Sequence, residues 1–563
     1  MSLEDLGLLF FTVLILSLLL TPVSAHFAAF VGAVDHPVDR SVHTTVMPRM
    51  GGLGMALALL VALPLFTDVN PALLGFLAGL LIVTLTGMAD DIWAASHRVK
   101  FAGQIIASIV FIELSGLQMD SFGNLFAFGE ISFPGILGYI VTLICLLGVI
   151  NAMNLSDGLD GLSGGMAAIS CFFFGAFALG TNNWDVFILV TAIFGGVLGF
   201  LKFNTHPAKL FMGDTGSLML GFSLASVSIM LCVTGESGGV APITVAMVLA
   251  IPVVDTILVM SHRIMKRKSP FHPDKTHLHH RLLAIGLSHA AVVSIIYVGM
   301  IAFGLLALFV KDLPEYWQLA NGLALVVVFY VVLMLCEHHQ ISFATISRAN
   351  KETEVLRHDL VVFLGRSVGF FPYVLLAGLS LPLLFTTDIP PEMTMPSFAL
   401  VLFVALAFPW RNEAKHLPVI CGLFYLCAYF ITYTWGISSY GHFDLTLYAV
   451  VFLTFIAIWS ALKIKFKQRK TVFLTSSFEI LLIFISWFIP FVVLPAIEIP
   501  EHASIAAKLA CLGAIPLFIT IKLVVRRGVS EGAPMEDRRK ATHNWPMASG
   551  MIVILCFIIL KSI

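Results

Sequence analysis

Pro71–Asp91 reads PALLGFLAGLLIVTLTGMADD, an uncharged run closed by two adjacent aspartates. At about 1.5 Å rise per residue, such a run crosses the roughly 30 Å hydrocarbon core of a bilayer. It reads as a transmembrane helix with paired carboxylates at one interface. Runs of the same kind recur from Leu6 to Ile559. Of 563 residues, 59% are hydrophobic and 12% charged, with mean hydropathy +0.97; a soluble chain carries about 25% charged residues. The fold class is therefore all-α, a polytopic integral membrane helical bundle. Disorder, collagen, a secreted disulfide scaffold and nucleic-acid binding through a basic domain are excluded. The eight cysteines all lie in or at the ends of apolar runs without paired ligand spacing, and so read as small core residues. The first run follows Glu4 and Asp5 and reads as a retained helix, not a cleaved signal peptide.

About eleven core helices fall at 7–33, 51–67, 71–89, 101–117, 133–150, 162–180, 185–201, 213–233, 240–260, 290–310 and 317–336. About seven more follow at 368–387, 396–410, 417–436, 444–462, 472–497, 505–525 and 546–560. The chain thus divides into a membrane domain over 1–345 and a C-terminal membrane extension over 346–563. Of the 17 Lys and Arg residues up to Arg366, all but Lys311 lie in loops after odd-numbered helices. The positive-inside rule places those loops in the cytoplasm and the N-terminus outside. The net charge of -1 hides this asymmetry.

Polar residues gather in five of the inward loops. The first runs from Asp35 through Arg40 and His43 to Arg49, Gly51 and Gly52. The second is Asp90-Asp91 with His97, Arg98 and Lys100. The third is Asn151…Asn154…Asp157-Gly-Leu-Asp160-Gly-Leu. The fourth joins Asn204 and His206 to Gly213-Asp214-Thr-Gly-Ser217. The fifth runs from Asp255 through His262 and Arg263 to Lys275, His277, His279, His280 and Arg281. Adjacent carboxylates at a helix C-terminus oppose the helix dipole and call for a proton or a divalent cation. The Asn151–Gly161 stretch suits a polar, hydroxyl-bearing ligand, or equally an Asx turn with a cap at Asp157 or Asp160. Asp214 opens a helix whose N–H groups suit phosphate, although an N-cap explains the same string. The His-x-His-His-Arg run offers either zinc ligands or, beside Lys275 and Arg281, a phosphate cluster, which its basic neighbours favour. Aspartates for a metal, cations for phosphates and an apolar body together imply phosphoryl chemistry on a lipid at the cytoplasmic face.

These motifs, in this order and on one side, resemble the polyprenyl-phosphate N-acetylhexosamine-1-phosphate transferases, the group of WecA-type and MraY-type enzymes. The match covers residues 1 to about 340. The resemblance implies transfer of N-acetylhexosamine-1-phosphate, most often N-acetylglucosamine-1-phosphate, from a UDP-sugar to undecaprenyl phosphate, releasing UMP. The lipid-linked product would start a cell-envelope glycan such as O-antigen. By resemblance, Asp90, Asp91, Asp157 and Asp160 are catalytic, and Asp214 with Asp91 holds Mg²⁺, which Mn²⁺ can replace. Arg40, His43, Asn151, Asn154, Asn204, Lys275, His277, His279, His280 and Arg281 bind substrate. Partners implied are undecaprenyl phosphate, a UDP-N-acetylhexosamine, membrane lipid and a second copy in a homodimer, with no nucleic acid. The setting implied is the bacterial inner membrane, with the site facing the cytoplasm.

Pro48-Arg-Met-Gly51-Gly52 and the interrupted histidine run favour the WecA-like branch over an MraY-like phospho-sugar-peptide transferase. A transporter of a lipid or sugar phosphate is the alternative from another class. It predicts acidic residues mid-helix in two related halves, and no internal repeat is found. A zinc-dependent hydrolase built on the histidines is weaker still. The extension carries no motif and reads as a structural or interaction module in preference to a second activity.

Overall fold

The computed structural model describes residues 3–35, 46–235, 238–267, 276–338, 358–407, 417–440, 445–466, 501–525 and 545–562. The chain folds into two compact units, one from the described residues up to His338 and the other from those after 357.

The first unit is built from α1 (Leu3–Val31), α2 (Gly51–Phe66), α3 (Pro71–Trp93), α4 (His97–Ser115), α5 (Ile136–Ser156), α6 (Leu162–Gly180) and α7 (Trp184–Asn204). It continues with α8 (Gly213–Val233), α9 (Pro242–Val248), α10 (Ala250–Met265), α11 (Leu278–Ala284), α12 (His289–Val310) and α13 (Glu315–His338). A two-residue hairpin, β1 (Val34–Asp35) with β2 (Met47–Pro48), follows α1. Nine helices among the described residues are long and apolar enough to cross a membrane, so the protein is multi-pass. Each expected apolar run meets a helix except 472–497, which lies outside the described residues.

The ninth expected span is corrected. It is two helices, α9 and α10, bent by 85° at Leu249. Pro252 has no N–H for the Val248 carbonyl, and its ring crowds that carbonyl, which breaks the hydrogen-bond ladder at the bend. The short α11 was also unexpected. Its N-terminal Leu278 N–H bonds the Asp255 carboxylate of α10 at 2.9 Å, which supplies a cap from outside the segment.

α6 and α8 sit at the centre, almost wholly buried along their lengths. Small residues let α8 approach its neighbours. A Cβ on Gly52 of α2 would stand 2.0 Å from the Gly216 Cα, and one on Gly87 of α3 would stand 2.4 Å from the Thr215 Cα. Such close backbone approach is how helices associate where water offers no hydrophobic drive. It brings the polar ends of α2, α3 and α8 together.

The second unit has helices His358–Leu384, Thr394–Ala407, Leu417–Ile437, Leu445–Phe466, Glu501–Val525 and Trp545–Ser562, with Thr386–Asp388 paired to Ser439–Tyr440. Its core holds Trp435, whose indole N–H donates to the Leu379 carbonyl at 3.1 Å. Lys561 donates to the Thr386 carbonyl at 2.6 Å.

Candidate active site

The site is assembled where the Pro48–Gly52 stretch meets the start of α8. Phe211 donates to the Pro48 carbonyl at 2.8 Å, while Gly51 and Gly52 donate to Phe211 and Met212 at 3.0 and 3.1 Å. These bonds hold Arg49 over two carboxylates, its Nε 3.6 Å from Asp91 and its Nη2 3.9 Å from Asp214. From the other side α3 ends at a left-handed Ala94, and Ser96 caps α4. That tight turn returns Lys100 to Asp90 at 3.4 Å and into a close ion pair with Asp214. Asn154, at the end of α5, donates to Asp214 at 2.5 Å and to the Ser217 hydroxyl at 2.7 Å.

Asp91 departs from expectation. Its side chain is buried, and its carboxylate accepts from the Asp214 N–H at 3.0 Å, the Thr215 N–H at 2.9 Å and the Thr215 hydroxyl at 2.7 Å. It caps α8 from another helix, where the dipole favours an anion. Gly213, at φ 72°, permits this, since a Cβ there would meet the Asp91 Oδ2 at 2.5 Å. Expected as a metal ligand beside Asp214, Asp91 is instead turned into the protein, with both oxygens engaged. Asp90 and Asp214, which share the Lys100 ammonium, are the carboxylates that face a common cation.

A cavity of about 400 Å³ opens beside this cluster, lined among others by Arg49, Asn154, Asp157, Asp160, Asp214 and His289. Enclosure by the cavity walls, together with the Asp214 and Asp91 charges, pushes the Asp157 carboxyl up to about 7. Asp160 behaves oppositely. Burial disfavours its charge, but His206 at 2.8 Å and the Ala208 N–H at 3.1 Å outweigh that and hold it below the usual carboxylate range. Among the described residues, Asp90, Asp91, Asp157 and Asp214 together face Arg49 and Lys100, four carboxyl groups against two cations. An all-oxygen donor set with surplus negative charge is what a hard divalent cation takes. Asp160, His206 and His289 also bring ligand-type atoms within 4.8 Å of one another. That group is already joined by hydrogen bonds: His206 engages the carboxylate, and His289 Nε2 accepts the Asp160 N–H at 3.1 Å.

Other expected residues lie elsewhere or do different work. Asn151 donates to Gln104 of α4 at 2.7 Å and to Leu147 at 2.8 Å, which ties helices together away from the cavity lining. Asn204 lines the cavity, but its amide joins two loops, accepting from Gly161 at 2.9 Å and donating to Leu210 at 3.0 Å. His277 is buried against Asp255 at 2.8 Å. His279 packs on Gly158, where a Cβ would stand 2.3 Å from its Nε2. Burial, then His280 and His277, push its pKa down to about 3, so it is neutral and offers a phosphate no charge. His280 lies 4.2 Å from His279, ring to ring. Arg281 is held by both oxygens of Glu337 at 2.9 and 2.8 Å. Arg40, His43 and Lys275 lie outside the described residues. His289, Tyr297 and Glu337 carried no sequence signal of a role, and Thr215 stood unremarked inside the Gly213–Ser217 motif. Lys100 and His206 stood inside quoted motifs, but only folding assigns their partners.

Residues 73–232 match the description glycosyl transferase family 4. The chain is 33% identical over 332 residues to a probable undecaprenyl-phosphate N-acetylglucosaminyl 1-phosphate transferase of Bacillus subtilis, covering 58% of this chain and 89% of that one. It belongs to glycosyl transferase family 4. This is the family of polyprenyl-phosphate N-acetylhexosamine-1-phosphate transferases. A decaprenyl-phosphate N-acetylglucosaminephosphotransferase of Mycolicibacterium smegmatis is 34% identical over 367 residues, 59% of this chain and 89% of its own. The undecaprenyl-phosphate alpha-N-acetylglucosaminyl 1-phosphate transferase of Escherichia coli K12 is 29% identical over 297 residues, 51% and 80% respectively. The family match includes Asp90, Asp91, Asn154, Asp157, Asp160, Asn204 and Asp214.

Proposed function

We propose that the protein transfers N-acetylglucosamine-1-phosphate from its UDP-sugar to undecaprenyl phosphate at the cytoplasmic face of the bacterial inner membrane. The observation that carries the chemistry is the convergence of Asp90, Asp214, Asn154, Lys100 and Arg49 beside the cavity lined by Asp157 and Asp160. The donor sugar and lipid are supported by the relatives, each named for N-acetylglucosamine and a polyprenyl phosphate. In the reaction an oxygen of the lipid phosphate attacks the sugar-bearing phosphorus. The bond from that phosphorus to the bridging oxygen breaks, and UMP leaves with the electron pair. Direct attack needs no covalent enzyme intermediate, since the phosphate is itself a nucleophile.

The chain's residues do three things in this reading. Asp214 would hold Mg²⁺, with Mn²⁺ an acceptable replacement, while Asp91 fixes Asp214 by capping its helix. Bound there, the ion would neutralise phosphate charge and align the two substrates. Arg49 and Lys100 would supply positive charge to the phosphates. Asp90, half-buried, 3.4 Å from Lys100 and hydrogen-bonded to Asp214, is better placed than Asp91, whose oxygens both cap α8, to take a proton from the lipid phosphate. Asp157 and Asp160 flank the nucleotide-sugar. The 1–345 domain carries this activity, and 346–563 is a separate module.

The test is UMP release by purified protein given UDP-N-acetylglucosamine, undecaprenyl phosphate and Mg²⁺. Release that requires all three supports the reading. No release from any UDP-N-acetylhexosamine, with an active control enzyme, refutes it. A phosphosugar or UMP adduct trapped on Asp90 would refute direct attack alone.

A further inference from the structure

We propose that His289 is a positioning residue that holds the Asp157–Gly161 loop in the shape the nucleotide-sugar needs; its functional half rests on the transferase reading above. The loop lies between α5 and α6, and its own backbone bonds are short-range turns, Asp157 to the Asn154 carbonyl at 3.3 Å and Gly158 to the Ser156 carbonyl at 2.9 Å. Three bonds to its backbone come from elsewhere. The Asp160 N–H donates to His289 Nε2 at 3.1 Å, the Gly161 N–H donates to Asn204 at 2.9 Å, and the Tyr297 hydroxyl donates to the Gly161 carbonyl at 2.6 Å. Two of the three partners belong to α12, a helix outside every sequence motif. Tyr297 sits about two turns beyond His289, and helical side chains lean back toward the N-terminus, so both reach neighbouring loop residues.

Asp160 is gripped twice. His289 takes its backbone, and the His206 ring, stacked 4.2 Å from the His289 ring at 21°, takes its carboxylate. A merely structural histidine at a helix start would not need to face the cavity. His289 lines it beside Asp157 and Asp160. Because Nε2 accepts, the neutral ring carries its hydrogen on Nδ1, and replacement by a residue without an acceptor at that reach leaves the Asp160 N–H unpaired.

Glutamine places an oxygen near the Nε2 position, whereas alanine does not. The test measures amide hydrogen exchange in the peptide spanning 157–161, and donor KM and kcat for UMP release, in the full chain in detergent. His289→Ala is expected to speed exchange in that peptide and raise the donor KM roughly 3- to 10-fold, with the KM for the lipid unchanged. His289→Gln should recover most of both effects, and Tyr297→Phe should speed exchange at the same peptide. Unchanged exchange in His289→Ala, faster exchange with an unaltered donor KM, or a glutamine variant no better than alanine overturns the proposal. If the wild-type protein releases no UMP, the transferase reading fails, and the exchange data alone decide whether His289 holds the loop.

Discussion

Replacing Asp91 with asparagine separates a capping role from a chemical one. Asp91 accepts three hydrogen bonds, one on Oδ1 from Asp214 and two on Oδ2 from Thr215. Whichever way the asparagine amide turns, its NH₂ replaces one acceptor, so at least one buried N–H faces another donor. Losing a hydrogen bond to a charged group costs about 1.5–3 kcal/mol, and an orphaned buried N–H adds about 1–3 kcal/mol. Relief from burying the carboxylate charge offsets part of this, leaving roughly 2–4 kcal/mol. The loss falls on the first turn of α8, which carries Asp214. Displacement of a reacting group by about 1 Å lowers rate by about 100-fold. Asp91→Asn should therefore melt earlier in detergent and lose UMP release together. Asp90→Asn should lose UMP release while its stability falls by roughly 1 kcal/mol or less, since among the described residues its ion pair is with Lys100 at 3.4 Å. An Asp91→Asn protein that melts with the wild type, or that is inactive without melting earlier, would refute the capping argument.

Gly87→Ala forces a Cβ to within 2.4 Å of the Thr215 backbone; overpacking of about 1–3 kcal/mol and a loss of activity should follow, read by melting temperature and UMP release. Asp157 titrates near 7 against an ordinary 3.8. A raised carboxyl pKa contributes stability fully below about 4 that is lost as pH rises through about 7. In EDTA the melting temperature should fall across that window, and Asp157→Asn should flatten the fall. Arg281→Gln and Glu337→Gln should destabilise the protein alike, because each breaks the same two-bond pair. If Arg281 served the diphosphate instead, Glu337→Gln would free it and lower the donor KM. A chain ending at Ala349 should keep the specific activity of the full chain, measured as UMP release per inserted protein. Loss of activity in that inserted, shorter chain would make the C-terminal unit part of the catalyst.

The membrane class was legible from Pro71–Asp91 outward because hydrocarbon imposes a length and a composition on any spanning helix. The sidedness expected of the Lys and Arg residues has a related basis, since it reflects insertion and not packing. The break at Leu249 was missed although Pro252 was in view, because an apolar run of the right length masks a proline near its middle. Asp214, Asn154 and Asp160 were legible as polar residues that hydrocarbon would not tolerate without a task. Hydropathy does not reveal which way a carboxylate turns. Asp90 and Asp91 are adjacent and chemically identical, yet the helix turns one toward Lys100 and the other under α8. Likewise the histidine run offered ligands on paper, whereas Asp255, Gly158 and Glu337 claim His277, His279 and Arg281.

The sequence by itself determined a many-helix membrane protein with polar motifs between its apolar runs, because bilayer solvation acts on each segment separately. Only the tertiary structure decided which aspartate caps and which faces the cavity, and that α12 holds the Asp157–Gly161 loop. Those outcomes depend on hydrogen bonds between residues more than a hundred positions apart, such as Asp160 with His289 and Gly161 with Tyr297. Local composition carries no record of such bonds, because each partner alone reads as an ordinary cap or an ordinary core residue.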